Sequence, residues 1–278
     1  MEATLDRYHA LGHTPVVEDH ATFLVDPSRA DVYDANHARH VRAGSPTDID
    51  VLLSRMDDLY AASHHRRIVL DGSTPDALEA RLSLDGWRLD PSLQHLLRGP
   101  LLDAPAGPPG LEIRLADDDT SWQALLELTR LDHVEEADKA GRVAWEMALT
   151  AQMVANRRFK QPEVRYWVAK LEGDDVGMFS STPGVDGVGL IEHLFVRSSA
   201  RRRGVAVALI AHAVADARDR GARDVVIGSD PDDWPKRLYA RLGFEPRYVE
   251  RAWLRVDRRA RPTGPEVSRT GGLDQVVK

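Results

Sequence analysis

The sequence predicts an α/β (α+β) protein with a mixed central sheet flanked by helices. Three observations point there. Strand-type alternation marks Leu111–Leu115, and compact apolar runs mark Arg165–Leu171 and Gly189–Val196. Gly204 to Arg220 is apolar at 205, 209, 210, 213 and 214, the spacing of a helix with one buried face. The first half also carries a strand–helix–strand order resembling that of the second. Elements alternating in this way pack helices onto a sheet.

The remaining elements follow in chain order. Residues 122–133 and 143–156 read as helices, and 176–180 as a strand. Val225–Ile227 is a short buried strand, and Asp233–Leu242 is a helix stopped by Gly243. A final strand covers 247–256, and the polar run that follows, 258–278, is expected to be a disordered tail. Three prolines and two glycines between 102 and 110 mark a linker, with bounds 104–110. The linker divides an N-terminal unit (1–103) from a C-terminal unit (111–257).

Composition excludes several classes. An apolar content of 42% with 29% charged residues is that of a soluble globular chain. Zero cysteines exclude a disulfide framework, a Cys-based zinc site and a thiol nucleophile. No apolar run is long enough to span a membrane, and the start lacks a basic region followed by an apolar core, so a cytoplasmic protein is expected. The net charge of −7 disfavours nucleic acid as a partner. Lysine occurs only at 139, 160, 170, 236 and 278, so basic clusters here are arginine by composition and weigh less as signals.

Shifting the sequence by 157 positions brings the ends of the two halves together without a gap. Arg66–Leu70 falls on Arg223–Ile227, Gly86-Trp87 on Gly243-Phe244, and Leu96-Leu97 on Trp253-Leu254. A true internal repeat and a chance likeness of two strand–helix–strand units both fit, and the matching lengths favour the repeat.

The chemistry concentrates at Leu194-Phe195-Val196, four further residues, then Arg201-Arg202-Arg203-Gly204-Val205-Ala206-Val207. A strand ends, a short loop turns, and a helix begins near Gly204. Free N–H groups and the positive helix end make such a place a pyrophosphate site. Gly204 lets backbone approach phosphate oxygens without an intervening Cβ.

Arg201-x-x-Gly204-x-Ala206, followed by Leu238-Tyr239-Ala240-Arg241-Leu242-Gly243-Phe244, resembles the acetyl-CoA signature of the GNAT N-acetyltransferase superfamily. The resemblance covers about 111–257 and is close over 189–246. It implies acetyl-CoA as cosubstrate, no metal, and a primary amine of a small molecule, peptide or protein as acceptor. Pantetheine would lie beside 194–196, with the backbone of Leu194 and Val196 pairing with it, and residues 202–207 would hold the pyrophosphate. Asp232 stands where relatives carry a cofactor-contacting Asn, with a helix N-cap as its other reading.

Tyr239 resembles the family tyrosine beside the CoA sulfur and is the candidate acid, at the edge of a Trp234–Leu238–Leu242 stripe facing the sheet. Glu192 is the candidate base by family position, and His193 by its ordinary pKa. Strand alternation puts Glu192, Leu194 and Val196 on one face and His193 and Phe195 on the other, so only one of the two faces the acceptor unless a bulge intervenes. His133, Glu135, Glu136 and Asp138 form either an amine-receiving cluster or a solvated helix face.

In the first half, Gly44–Ile49 and Leu82 stand at the positions of the loop and of Tyr239, so a repeat would be a degenerate GNAT-like domain that has lost the site. His37 and His40 have the spacing of a metal pair on a helix, or are ordinary surface histidines. A homodimer is compatible with all of this. A non-catalytic acyl-CoA-binding sensor is the competing reading.

Overall fold

The computed structural model describes residues 1–256; the expected tail at 258–278 lies outside them. The first half runs α1 (Glu2–Ala10), β1 (Val16–Val17), β2 (Thr22–Leu24), β3 (His37–Arg39), α2 (Pro46–Leu59), β4 (His65–Leu70), α3 (Asp76–Leu84) and β5 (Arg88–Leu97). The second runs β6 (Glu112–Leu115), α4 (Asp119–Lys139), α5 (Met147–Arg158), β7 (Arg165–Leu171), β8 (Asp174–Val185), β9 (Val188–Val196), α6 (Val205–Asp219), β10 (Asp224–Ser229), α7 (Pro235–Arg241) and β11 (Phe244–Val256).

Local sequence explains the key boundaries. Asp118 and Ser121 form a reciprocal capping box that starts α4. Ser45 accepts the Asp48 N–H at 3.1 Å and Pro46 occupies the first turn of α2, so that helix end is closed by its own residues. In α6 the predicted apolar positions 205, 209, 210, 213 and 214 are all buried.

All eleven strands form one sheet in the order β1-β2-β3-β4-β11-β5-β10-β9-β8-β7-β6. The two halves interleave at its centre. β5 pairs antiparallel with both β10 and β11, and β11 pairs antiparallel with both β4 and β5. Each half thus inserts its last strand between strands of the other. The linker divides the chain but not the sheet, and pulling the halves apart would unpair two long strands in the middle of the core. The linker itself is docked: a Cβ on Gly107 would come within 2.8 Å of the Ala208 Cβ on α6.

Three core clusters follow from this arrangement. Cluster one joins α6 and α7 to the sheet through Leu209, Ile210, Leu238, Val225 and Ile227, and includes Leu97 from the first half. On the opposite face, cluster two joins α1 and α4 through Leu5, Tyr8, Leu125, Leu190, Phe195 and Val226. Cluster three packs α2 and α3 on the first-half strands and takes Trp253 from β11. Among the described residues no helix is long and apolar enough to cross a membrane.

Candidate active site

The parallel pairing of β9 with β10 runs from Val188–Asp224 to Ile191–Ile227 and stops there. Both strands continue, β9 to Val196 and β10 to Ser229, so the sheet opens into a wedge beside residues 192–196. A second irregularity lies on the other edge of β9. Its register with β8 shifts between the Phe195–Met178 and Glu192–Ser180 pairs, and His193 takes φ 59°. This is a β-bulge: two residues of β9 stand opposite Phe179 alone.

The bulge corrects the simple alternation. Leu190 and Phe195 belong to the α1/α4 face, while Ile191, Leu194 and Val196 pack on the α6/α7 face. Counting forward from Leu190 puts Glu192 on the α1/α4 face, and counting back from Phe195 puts His193 there too. Both candidate bases therefore point to the same side, away from Leu194 and Val196.

The loop after β9 fits a pyrophosphate. Among the described residues, the backbone N–H groups of Arg202 to Val207 donate no hydrogen bond, the first internal bond of the helix being Ala208 N–H to Gly204 O at 3.1 Å. Gly204 has φ 86° and Arg202 φ 60°, both left-handed, which curls these donors into a concave nest. Two of the three arginines are already engaged. Arg201 pairs with Glu135 and donates from Nε to the Val196 carbonyl at 2.8 Å, and Arg203 pairs with Glu172. The exposed Arg202 has no such partner among the described residues. Backbone rather than side chains thus makes the cradle, and the Val196 carbonyl is taken by Arg201 instead of standing open to pantetheine.

Asp232 is not a helix cap. The Asp230 side chain accepts the Asp232 N–H at 2.7 Å, and this turn delays α7 until Pro235, with Trp234 at the cap position and no side-chain cap. Asp232 is exposed. Trp234 likewise leaves the predicted stripe: it is 55% exposed, while Leu238 and Leu242 pack inward. Tyr239 is buried on α7 with its ring edge-on to His95 at 5.5 Å. Burial, then the charges of Glu192 and Asp233, push its phenol well above the usual range, so it stays protonated.

His95 reaches Tyr239 from β5, the strand that the first half inserts, and shares a hydrogen bond of 3.1 Å with Ser229 at the end of β10. Sequence reasoning missed His95 because its neighbour is fixed by the strand exchange. It missed in the same way the first-half groups that surround Glu192. Burial lifts the Glu192 carboxyl to about 8, with Asp34 and Glu250 adding to the rise and Lys160 and Arg157 opposing it. At Asp34 burial works against ionisation, but Arg67, whose Nη1 lies 3.2 Å away, and Lys160 outweigh it and hold the carboxylate charged. Burial and then Arg157 push His193 well below its ordinary value, and its Nε2 shares a 2.7 Å hydrogen bond with Tyr8 of α1.

Other expectations fall elsewhere. Glu135 pairs with Arg201 and Glu136 with Lys139, placing that acidic run beside the phosphate nest rather than at Glu192. His133 shares a hydrogen bond with Thr150 at 3.0 Å. His37 lies on strand β3, not a helix, and is fully buried, while His40 pairs with Asp6. Among the described residues no group of three or more His, Cys, Asp or Glu could hold a metal ion.

Known proteins share this fold. No curated protein matches the chain. A conserved protein of unknown function from Staphylococcus epidermidis ATCC 12228 superposes with a TM-score of 0.68 at 13% identity, covering 89% of this chain and 95% of that one. A GCN5-related N-acetyltransferase from Kribbella flavida gives 0.64 at 20% identity, covering 92% and 93%. A tandem GNAT protein from the clavulanic acid biosynthesis pathway gives 0.56 at 18% identity, covering 79% and 75%. At such identities these likenesses establish the fold. The family model of the acetyltransferase (GNAT) family matches residues 122–244, the stretch that holds the wedge, the nest and Tyr239.

Proposed function

We propose that the protein is an acetyl-CoA-dependent N-acetyltransferase whose acceptor amine attacks the thioester directly in a ternary complex. The observation that carries this reading is the opening between β9 and β10. It has the N–H nest of residues 202–207 at one end and two proton-handling groups on its opposite sides, Tyr239 on the α6/α7 face and Glu192 on the α1/α4 face. Acetyl-CoA supplies the acetyl group as an activated thioester.

Glu192 suits the role of base. An alkylammonium with a pKa of about 10.4 must lose a proton before it attacks. A carboxylate whose conjugate acid sits at about 8 is a far stronger base than an ordinary glutamate. The depressed His193 is correspondingly a weak one. Tyr239, held protonated, donates a hydrogen bond toward the leaving sulfur; a thiol pKa of about 8.5 means that stabilising the thiolate matters more than protonating it fully. Tyr239→Phe is therefore expected to lower kcat by about 100-fold while changing the acetyl-CoA Kd little. Equal losses in both would make Tyr239 a packing residue.

We read the first half as a degenerate copy of the second. Under the 157-residue shift β4 matches β10, α3 matches α7 and β5 matches β11 to within two residues at their starts. Ser45 and Pro46 close the helix end where the nest would be, and buried Leu82 stands at the Tyr239 position. One acetyl-CoA site per chain and a cytoplasmic setting complete the reading. The experiment is release of free CoA thiol across an amine panel. Acetyl-CoA binding with no turnover of any amine would favour the sensor instead.

A further inference from the structure

Arg157, in the last turn of α5, is 6% exposed, and the one hydrogen bond of its side chain among the described residues runs from Nη1 to the hydroxyl of Thr129 at 2.7 Å. No carboxylate of the described residues stands within ion-pair reach of it, which sets it apart from its neighbours. Arg39 pairs with Asp6 and Arg67 with Asp34. Lys160 is as deeply buried, but its Nζ donates to the Tyr8 carbonyl at 2.6 Å, in the last turn of α1, and lies 4.1 Å over the Tyr8 ring. A helix C-terminus and an aromatic face are both proper partners for an ammonium. The Arg157 guanidinium bonds no helix-end carbonyl, lies over no ring and pairs with no carboxylate among the described residues, and a guanidinium largely out of water without an anion is costly to keep.

Its surroundings place it. The Thr129 hydroxyl that accepts from Arg157 donates in turn to the Met178 sulfur at 3.5 Å, and Met178 and Ser180 stand on β8 opposite Phe195 and Glu192, so the guanidinium lies on the α1/α4 face beside the bulge. Its positive charge acts on Tyr8, Tyr166, Glu192 and His193, and on Asp132 and His133 of α4 as well. Tyr166 stacks on the His193 ring at 6.1 Å, and Tyr8 bonds that same ring, so Arg157 borders the side-chain cluster that Glu192 and His193 join from the bulge. On the other side of the guanidinium is α4, through Thr129.

We propose that the acceptor amine carries a carboxylate, as an amino acid or short peptide does, and that the Nε and Nη2 edge of Arg157 receives it and holds the amine toward Glu192. This rests on the acetyltransferase reading and names its substrate class. The planar fork of a guanidinium matches a carboxylate through two parallel hydrogen bonds. The same charge, with Lys160 close by, repels polycationic amines and so selects against them as well as for the acid.

The test compares amino acids with their amides and with the matching decarboxylated amines, by thiol release and by thermal shift in the presence of acetyl-CoA. The wild type is expected to favour the acids by about 100-fold in kcat/KM, and Arg157→Gln to erase most of that preference. Arg157→Lys keeps the charge but loses the fork, and is expected to retain part of it. Melting temperatures of both variants without ligand identify a folding defect, in which case the Lys variant carries the comparison. Three results would overturn the inference alone: equal use of acids and amides by the wild type; an unchanged preference in a folded variant; or acetyl-CoA binding with no acid turned over or bound. If acetyl-CoA itself gives no thermal shift, the acetyltransferase reading fails first and takes this inference with it.

Discussion

Glu192→Gln is expected to lower kcat/KM for amine acetylation by about 100- to 10,000-fold and to remove the part of the pH profile that rises toward 8. Burial, reinforced by Asp34 and Glu250, puts the Glu192 carboxyl at about 8. Only the ionised form accepts a proton, so the rate climbs with pH below that value and levels above it. A separate rise near 10 belongs to the amine itself. The two are resolved by repeating the profile with a less basic amine, which moves the second rise and leaves the first. A glutamine variant that keeps the rise toward 8 would assign it to another group.

The same carboxyl makes a stability prediction with a definite sign. Its folded pKa lies above the ordinary 4.5, so the native state holds a proton there that the unfolded chain has released. That contribution is fully present below about 4.5 and is lost as pH rises through about 8. The wild type should therefore lose melting temperature relative to Glu192→Gln between those values, and the gap should be widest above 8. A gap constant with pH would mean that Glu192 titrates normally.

How much of this was legible in the sequence depends on what fixes each feature. The Gly204 loop, α6, α7 and Tyr239 were readable because helix period, a left-handed glycine and a helix stop are local signals within a few residues. The face of Glu192 was not, because a bulge at His193 changes the alternation without any glycine to mark it. Trp234 was placed inward on periodicity alone, but an aspartate-turn at Asp230 starts the helix later. The groups around Tyr239 and Glu192 were the least legible. Tyr8, Asp34, Arg157 and His95 come from four elements spread over both halves, and the strand exchange brings His95 of β5 against Tyr239 of α7. The 157-residue shift located β5 and β11 along the chain, yet nothing in it says that each inserts beside strands of the other half. Such pairings are set by tertiary packing rather than local propensity.

Gly204→Glu is expected to abolish the thermal shift produced by acetyl-CoA. At a concentration about 100 times Kd, binding should stabilise the wild type by about 2.7 kcal/mol. That corresponds to roughly 5–10 °C for a chain of this size. The nest offers a phosphate six successive backbone N–H groups, while Arg201 and Arg203 are committed to Glu135 and Glu172. A carboxylate grown from the middle of that concavity competes for the same donors and repels the ligand charge. Gly204→Ala separates this from backbone strain. A Cβ there would meet nothing within 4 Å, but φ 86° is a left-handed geometry costing about 1 kcal/mol for alanine. The alanine variant should melt a few degrees lower and still respond to acetyl-CoA, whereas the glutamate variant should melt in the same range and not respond. A full shift in the glutamate variant would place the pyrophosphate away from this loop. Loss of the shift in both would mean that the helix end must hold its curl before it can hold the ligand.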